Sequence, residues 1–190
     1  MHPEAMLPAK VVTRALRGVA DRQPGALDEV WNLVYPWVVQ RAKVLLCGDS
    51  LAPEVGEPND LAHEAFLKLK PAHLAGCIDR WHLIRIATRA MRQALVDRAR
   101  RRQMGAVTMP LEQAPQPALR CGVDLDRPLD VALALDALAA VNPKITEVAT
   151  LHLLGGLSFV EIGRMLGRSE AWARANWGQA ERWLQERFAD

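Results

Sequence analysis

Between Gln103 and Pro128 the chain carries Gly105, Pro110, Pro115, Pro117, Gly122 and Pro128, while the sequence on either side repeats apolar residues at helical spacing. Proline removes a backbone donor and disfavours helix in the residue before it, so this stretch reads as an extended linker. It divides the chain into a helical domain at 1–103, a linker at 104–128 and a second helical domain at 129–190. Strand signals are nearly absent on both sides, where Ala, Leu and Arg dominate and aromatics are few. The expected fold class is all-α, with two helical domains joined by a flexible linker.

Local punctuation places the helices. A first helix is predicted near 9–21 and ends at Gln23-Pro24-Gly25. A second carries Leu27, Val30, Trp31 and Val34, and Pro36 is expected to kink it or to start a new helix. Pro53, Gly56 and Pro58 mark a loop. Helices follow at about 59–70 and 79–102, with a connection over Pro71–Cys77. In the second half Asp126 and Pro128 open a helix carrying Val131, Leu135 and Leu138. Asn142 caps the next, with Pro143 at its first position, and Gly155-Gly156 closes it. Ser158-Phe-Val-Glu161 is a capping box, Gly167 ends that short helix, and Ser169 caps a last helix running to about Phe188.

Half of the 190 residues are hydrophobic and 24% are charged, the balance of a chain that folds. No run approaches the roughly 18 to 20 apolar residues of a membrane span, and the first residues lack the pattern of a signal peptide. Cys47, Cys77 and Cys121 are odd in number and widely spaced, which fits reduced thiols and a cytoplasmic protein better than a disulfide framework. The net charge of +2 is unevenly spread: residues 1–104 hold 16 Lys and Arg against 11 Asp and Glu, and residues 129–190 hold 6 against 8. A basic first half points to a polyanionic partner there.

Three motifs stand out. The segments meeting at Leu166-Gly167-Arg168-Ser169 read as a helix-turn-helix. Phe159, Ile162 and Leu166 form the inner face of its first helix. Ala173, Trp177, Ala180, Leu184 and Phe188 form an apolar seam on the second. The face left for a DNA groove is Ala171, Trp172, Ala175, Gly178, Gln179 and Arg182, with Arg174 at its edge. Pattern alone leaves a plain helical hairpin equally open. In Asp60-Leu-Ala-His-Glu-Ala-Phe-Leu-Lys-Leu69, Leu61, Ala65 and Leu69 form a buried stripe, while Asp60, His63, Glu64 and Leu67 lie opposite. That outer side is either a docking face for a basic partner or a solvated face with one stray leucine. In Trp81–Arg102, WHLIRIATRAMRQALVDRARRR, Arg85, Arg89, Arg92 and Arg100 make a stripe headed by Trp81 and His82, opposite a core face of Leu83, Ile84, Ala87, Met91 and Leu95. Such a stripe suits a DNA backbone with an unstacked base; a solvated charged face is the other reading.

These three segments, in this order and with a linker between the second and third, resemble extracytoplasmic-function (ECF) sigma factors of the sigma-70 superfamily. The resemblance covers about residues 26–188. It implies a polymerase-clamp-binding segment at 58–69, with Asp60, Leu61, His63, Glu64 and Leu67 as contacts. It implies a strand-opening segment in which Trp81, Arg85, Arg89, Arg92, Arg98, Arg100, Arg101 and Arg102 hold promoter DNA at the minus-ten element, with a flipped base received near Pro71–Arg80. The second domain then becomes a promoter-binding helix-turn-helix (winged-helix-like) unit that reads the minus-thirty-five element through Arg168, Ser169, Trp172, Arg174, Ala175, Gln179 and Arg182. Trp172 and Ala175 depart from the small polar and basic residues usual there. Gly178 inside a helix costs about 1 kcal/mol against alanine and permits a close approach.

The function so implied is direction of core RNA polymerase to promoters and opening of the DNA, without a catalytic site, metal or cofactor. Core polymerase and promoter DNA are the expected partners, with room for an anti-sigma factor or another regulator and no membrane insertion. The alternative is a stand-alone helix-turn-helix regulator, which has no need of the acidic helix at 60–69. An enzyme is the further rival: His73, Cys77 and His82 are close in sequence, but no paired metal-ligand spacing, phosphate loop or nucleophile motif accompanies them.

Overall fold

The computed structural model describes residues 7–46, 57–69, 71–107 and 128–189. Among them are nine helices and no strand: α1 Ala9–Ala20, α2 Ala26–Leu46, α3 Pro58–Lys68, α4 Pro71–Ala75, α5 Arg80–Val107, α6 Pro128–Val141, α7 Pro143–Leu153, α8 Phe159–Leu166 and α9 Glu170–Ala189. The all-α expectation stands. A wing would need a β-hairpin, and the described residues contain none, so the helix-turn-helix has no wing among them. The loop signals at Pro53 and Gly56, the opening residue Asp126 and most of the linker expected at 104–128 lie outside the described residues.

Of the two outcomes open at Pro36, a kink or a new helix, the second does not occur, and one helix runs further than the sequence predicts. Pro36 lies inside α2, which continues on both sides of it. Its ring is exposed, while Val30, Val34, Trp37 and Val38 around it are buried, so packing holds the helix across the lost donor. Helix α5 passes Gly105 and reaches Val107, beyond the expected end near 102. The connection at 71–77 contains the short α4.

Capping sets the starts. Asp79 accepts the His82 amide at 2.8 Å and opens α5. Asn142 accepts the Ile145 amide at 3.3 Å and opens α7. At α8 both halves of the capping box are made: the Glu161 amide reaches Ser158 Oγ at 3.3 Å, and the Ser158 amide reaches Glu161 Oε2 at 2.9 Å. Gly167 then adopts φ 64°, ψ 36°, a left-handed conformation that a side chain would strain. Ser169 Oγ accepts the Trp172 amide at 3.1 Å and opens α9.

Helix α5 lies at the centre. It packs on α3 along one side and, about as extensively, on α6 along another, while α2 covers α3 and α1 covers α2. Helices α7, α8 and α9 pack on one another, and α9 also touches α6. A single apolar core therefore runs from Leu7 to Leu184, with Trp37, Leu61, Met91, Leu95, Leu135 and Leu138 among its fully buried members.

Two outcomes follow. Ser158→Ala removes one acceptor of the α8 cap; it should lower stability by about 1 kcal/mol, seen as a Tm drop of about 2–4 °C by calorimetry or circular dichroism. Cys77 is buried, its thiol on the His73 carbonyl at 3.4 Å, and burial, reinforced by the charge of Asp79, pushes it up from 9.0 to about 11. In a chain with Cys47 and Cys121 changed to serine, Cys77 should resist alkylation at pH 8 until the protein unfolds. Because the folded value lies above the unfolded one, its contribution to stability is full below pH 9.0 and is lost as the pH rises through about 11. Rapid alkylation of the native protein, followed by mass spectrometry, would contradict this.

Candidate nucleic-acid interface

Helix α3 turns Leu61, Ala62 and Ala65 into the core. Leu61, expected to touch a partner, is fully buried and can act only by holding the helix in place. Asp60 and His63 are exposed, His63 stacks on Phe66 with ring centroids 6.5 Å apart, and Leu67 keeps 67% of its surface in solvent. Glu64 differs from the expected solvent-facing acid. It accepts from Arg98 Nε at 3.0 Å and from Arg101 at 3.1 and 3.2 Å, so it already neutralises two arginines of α5.

The basic residues of α5 divide between two faces. At about 100° per residue, Arg98 and Arg101 lie roughly 220° and 160° round the helix from Arg85. They meet α3, and the Arg98 side chain is only 9% exposed. The stripe proper points the other way, towards α6 and α7. Arg85 and Arg89 both donate to Glu147 Oε1, the second at 2.9 Å, and Arg100 donates to Asp136 at 2.9 Å. Arg92 is half-buried between them, and its burial presses the guanidinium below the ordinary arginine value. Arg102 is half-buried as well. Arg85, Arg89, Arg92 and Arg100 edge a cleft of about 490 Å³ between α5 and α6–α7, lined also by Gln93 and Thr150. Trp81, half-buried at the head of α5, lies under the Arg80 guanidinium at 4.5 Å.

Sequence reading missed Glu147 and Asp136, which are ordinary acids in ordinary helices. The excess of acid in 129–190 over base was the available signal. The neighbourhood of His73, Cys77 and His82 does not form a cluster: among the described residues no three His, Cys, Asp or Glu side chains gather as a metal site would require.

In the helix-turn-helix, Ile162, Ala173, Ala180 and Leu184 are buried, and Phe159, Leu166, Trp177 and Phe188 pack against them. An aromatic group supports the turn from behind: His152 stacks on Phe159 at 4.5 Å and meets Trp177 edge-on at 4.7 Å. On the outer face Ala171, Ala175, Gln179 and Arg182 are exposed. Other expected contacts are engaged within the chain. The Ser169 hydroxyl caps α9. Arg174 donates to Glu170 at 2.6 and 2.8 Å and lies 4.9 Å over Phe159. Trp172 is half-buried, with Lys144 at 5.3 Å and the exposed Arg168 at 5.9 Å from its ring. A Cβ on Gly178 would meet nothing within 4 Å, so no part of this chain requires glycine there.

Among the described residues no helix is long and apolar enough to cross a membrane. No curated protein and no solved structure matches the chain. The model of the ECF sigma factor family matches residues 9–190, from the first turn of α1 to the end of α9. An acid-edged helix, a long basic helix and a helix-turn-helix follow one another within that span, and the chain belongs to the ECF sigma factors, the RNA polymerase sigma factors of transcription initiation.

Proposed function

We propose that this sigma factor docks on core RNA polymerase through the outer side of α3, holds and opens promoter DNA with the arginine stripe of α5, and reads an upstream element with α9. In this reading residues 1–103 are the polymerase and minus-ten domain, 104–128 the linker, and 129–190 the minus-thirty-five domain. The observation that carries it is the exposed Leu67, flanked by Asp60 and His63 on a helix whose other side is buried. A leucine kept in solvent beside an acid fits a partner surface that is apolar at its centre and basic at its edge. Glu64 acts from behind, steadying Arg98 and Arg101.

On α9, Gln179 and Arg182 have reach for purine edges, and Ala171 and Ala175 are small enough to meet thymine methyl groups. Arg174 and Ser169 shape the helix start. The acidic balance of 129–190 leaves little for phosphates, so affinity comes from tethering: polymerase holds the first domain on DNA and the linker raises the local concentration of the second.

Asp60→Arg and Leu67→Ala should each weaken core polymerase binding about tenfold or more in a titration, with the circular dichroism spectrum unchanged, since neither side chain supports the core. Glu64 is a poor probe because its loss also releases Arg98 and Arg101. Core affinity unchanged in both variants would remove the docking assignment and favour a stand-alone regulator. Gly178→Ala should stabilise α9 by about 1 kcal/mol. If this face lies deep in a groove, the same change should weaken or redistribute promoter use by the holoenzyme, as should Gln179→Ala; promoter profiles identical to the parent in both would move the reading face elsewhere.

A further inference from the structure

Helix α1 carries a basic face to which the promoter reading of α5 gives no role. Lys10, Arg14 and Arg17 are exposed and, at about 100° per residue, fall within roughly 60° of one another, opposite the buried Val12, Ala15 and Leu16. They line a groove of about 460 Å³ together with Thr13, Asp21 and Gln23. Arg14 pairs with Glu29 at 3.2 Å, and among the described residues no acid pairs with Lys10, Arg17 or Arg22. The helix itself does not call for these charges. Arg17 in the last turn suits the helix dipole, but Lys10 stands in the first turn, where a cation opposes the dipole and no acid offsets it. Arg22 is a stronger sign. Its φ is 55°, and it is the one non-glycine residue in left-handed backbone among the described residues. It closes α1 in a Schellman turn: its amide donates to the Val19 carbonyl at 3.1 Å, and the Gln23 amide donates to the Gly18 carbonyl at 2.8 Å. Glycine takes that position without strain, yet an exposed arginine holds it here.

Placement and chemistry indicate the partner. Helix α2 lies between α1 and the docking helix α3, whereas α1 packs on α4 and touches α5. Helix α4 leads by a short turn into the head of α5, so α1 stands at the Trp81 end of the arginine stripe. Among the described residues none of the large exposed apolar side chains lies on α1, so the groove lacks the apolar centre of a protein interface and offers cations alone. We propose that this groove is a second contact for promoter DNA, in which Lys10, Arg14, Arg17 and Arg22 hold the phosphate backbone where it runs on past the Trp81 end of the stripe. The inference rests on the DNA role of α5 proposed above.

The test uses the full chain with Lys10→Gln, Arg14→Gln and Arg17→Gln together, and separately with Arg22→Gly. Each is assembled with core polymerase and titrated across a salt series with fluorescent promoter DNA that extends well downstream of the minus-ten element. The triple variant should bind this DNA about tenfold more weakly, with a salt slope shallower by about two to three counterions and core affinity at the parental value. Arg22→Gly should weaken DNA binding about two- to threefold while the Tm of the free chain stays equal or rises by up to about 4 °C, because glycine relieves the left-handed strain. Loss of function with equal or greater stability is a pairing that a structural arginine cannot give. On DNA cut at the downstream edge of the minus-ten element, parent and variants should bind alike; a difference that persists there would overturn the placement. A fall in core affinity in the triple variant, with DNA binding by the assembled holoenzyme unchanged, would overturn the inference in favour of a polymerase contact. Parental DNA affinity and salt slope in both variants, with binding weakened by Arg85→Ala plus Arg89→Ala, would overturn the groove alone. The same result with that double variant also at the parental value would overturn the DNA role of α5 as well.

Discussion

Helix α5 is the member on which everything else leans. Over 28 residues it offers an apolar side to α2 and α3, a basic edge to Glu64 and a second basic edge to α6 and α7. Its core residues, Leu83, Ile84, Ala87, Met91 and Leu95, are fully buried. Truncating such side chains costs about 2–5 kcal/mol each for leucine or methionine, so the position of the arginines is set by apolar packing rather than by their own charges. A rigid rod with a fixed rotation about its axis is what lets four arginines spread over four turns line up on one side.

The ion pairs on that rod differ in kind from the core beneath it. Arg89 and Arg100 are more than half exposed, and pairs of that sort contribute about 0–1 kcal/mol and weaken with salt. Glu147 is shared by two guanidinium groups at one oxygen, so neither has the bidentate geometry that makes such pairs strong. The contact between the two helical groups is thus made of replaceable interactions laid over an apolar seam. The Arg98–Glu64 pair, with Arg98 almost covered, belongs to the permanent structure instead.

Much of this architecture is readable before any coordinates. The helix starts at Asn142, Ser158 and Ser169 and the stop at Gly167 lie where the capping residues place them, because those bonds are local and need only the side chain and the next turn. Pro36 leaves a kink or a new start open because a proline signal is local, whereas the burial of Val30, Val34, Trp37 and Val38, which carries α2 through it, is tertiary. The outer face of α3 was legible at Asp60, His63 and Leu67, but not at Glu64, whose partners come from more than thirty residues away. The stripe on α5 was legible as a stripe. What it faces was not, since no periodicity in α5 or α7 indicates that Glu147 will stand opposite Arg85, 62 positions earlier. Only the opposite charges of the two halves carried a trace of it.

The acids that join the second half to α5 sit on α6 and α7, as Asp136 and Glu147, while Ala171, Ala175, Gln179 and Arg182 of the exposed outer face sit on α9. Substitutions on that face can therefore accumulate without disturbing the contact that joins the halves. Duplicated copies of such a gene could drift towards new target sequences one residue at a time while each intermediate remained a folded, properly joined protein. The partition of charge among three helices is in this sense a condition for diversification, separating the part of the surface free to vary from the part that must stay.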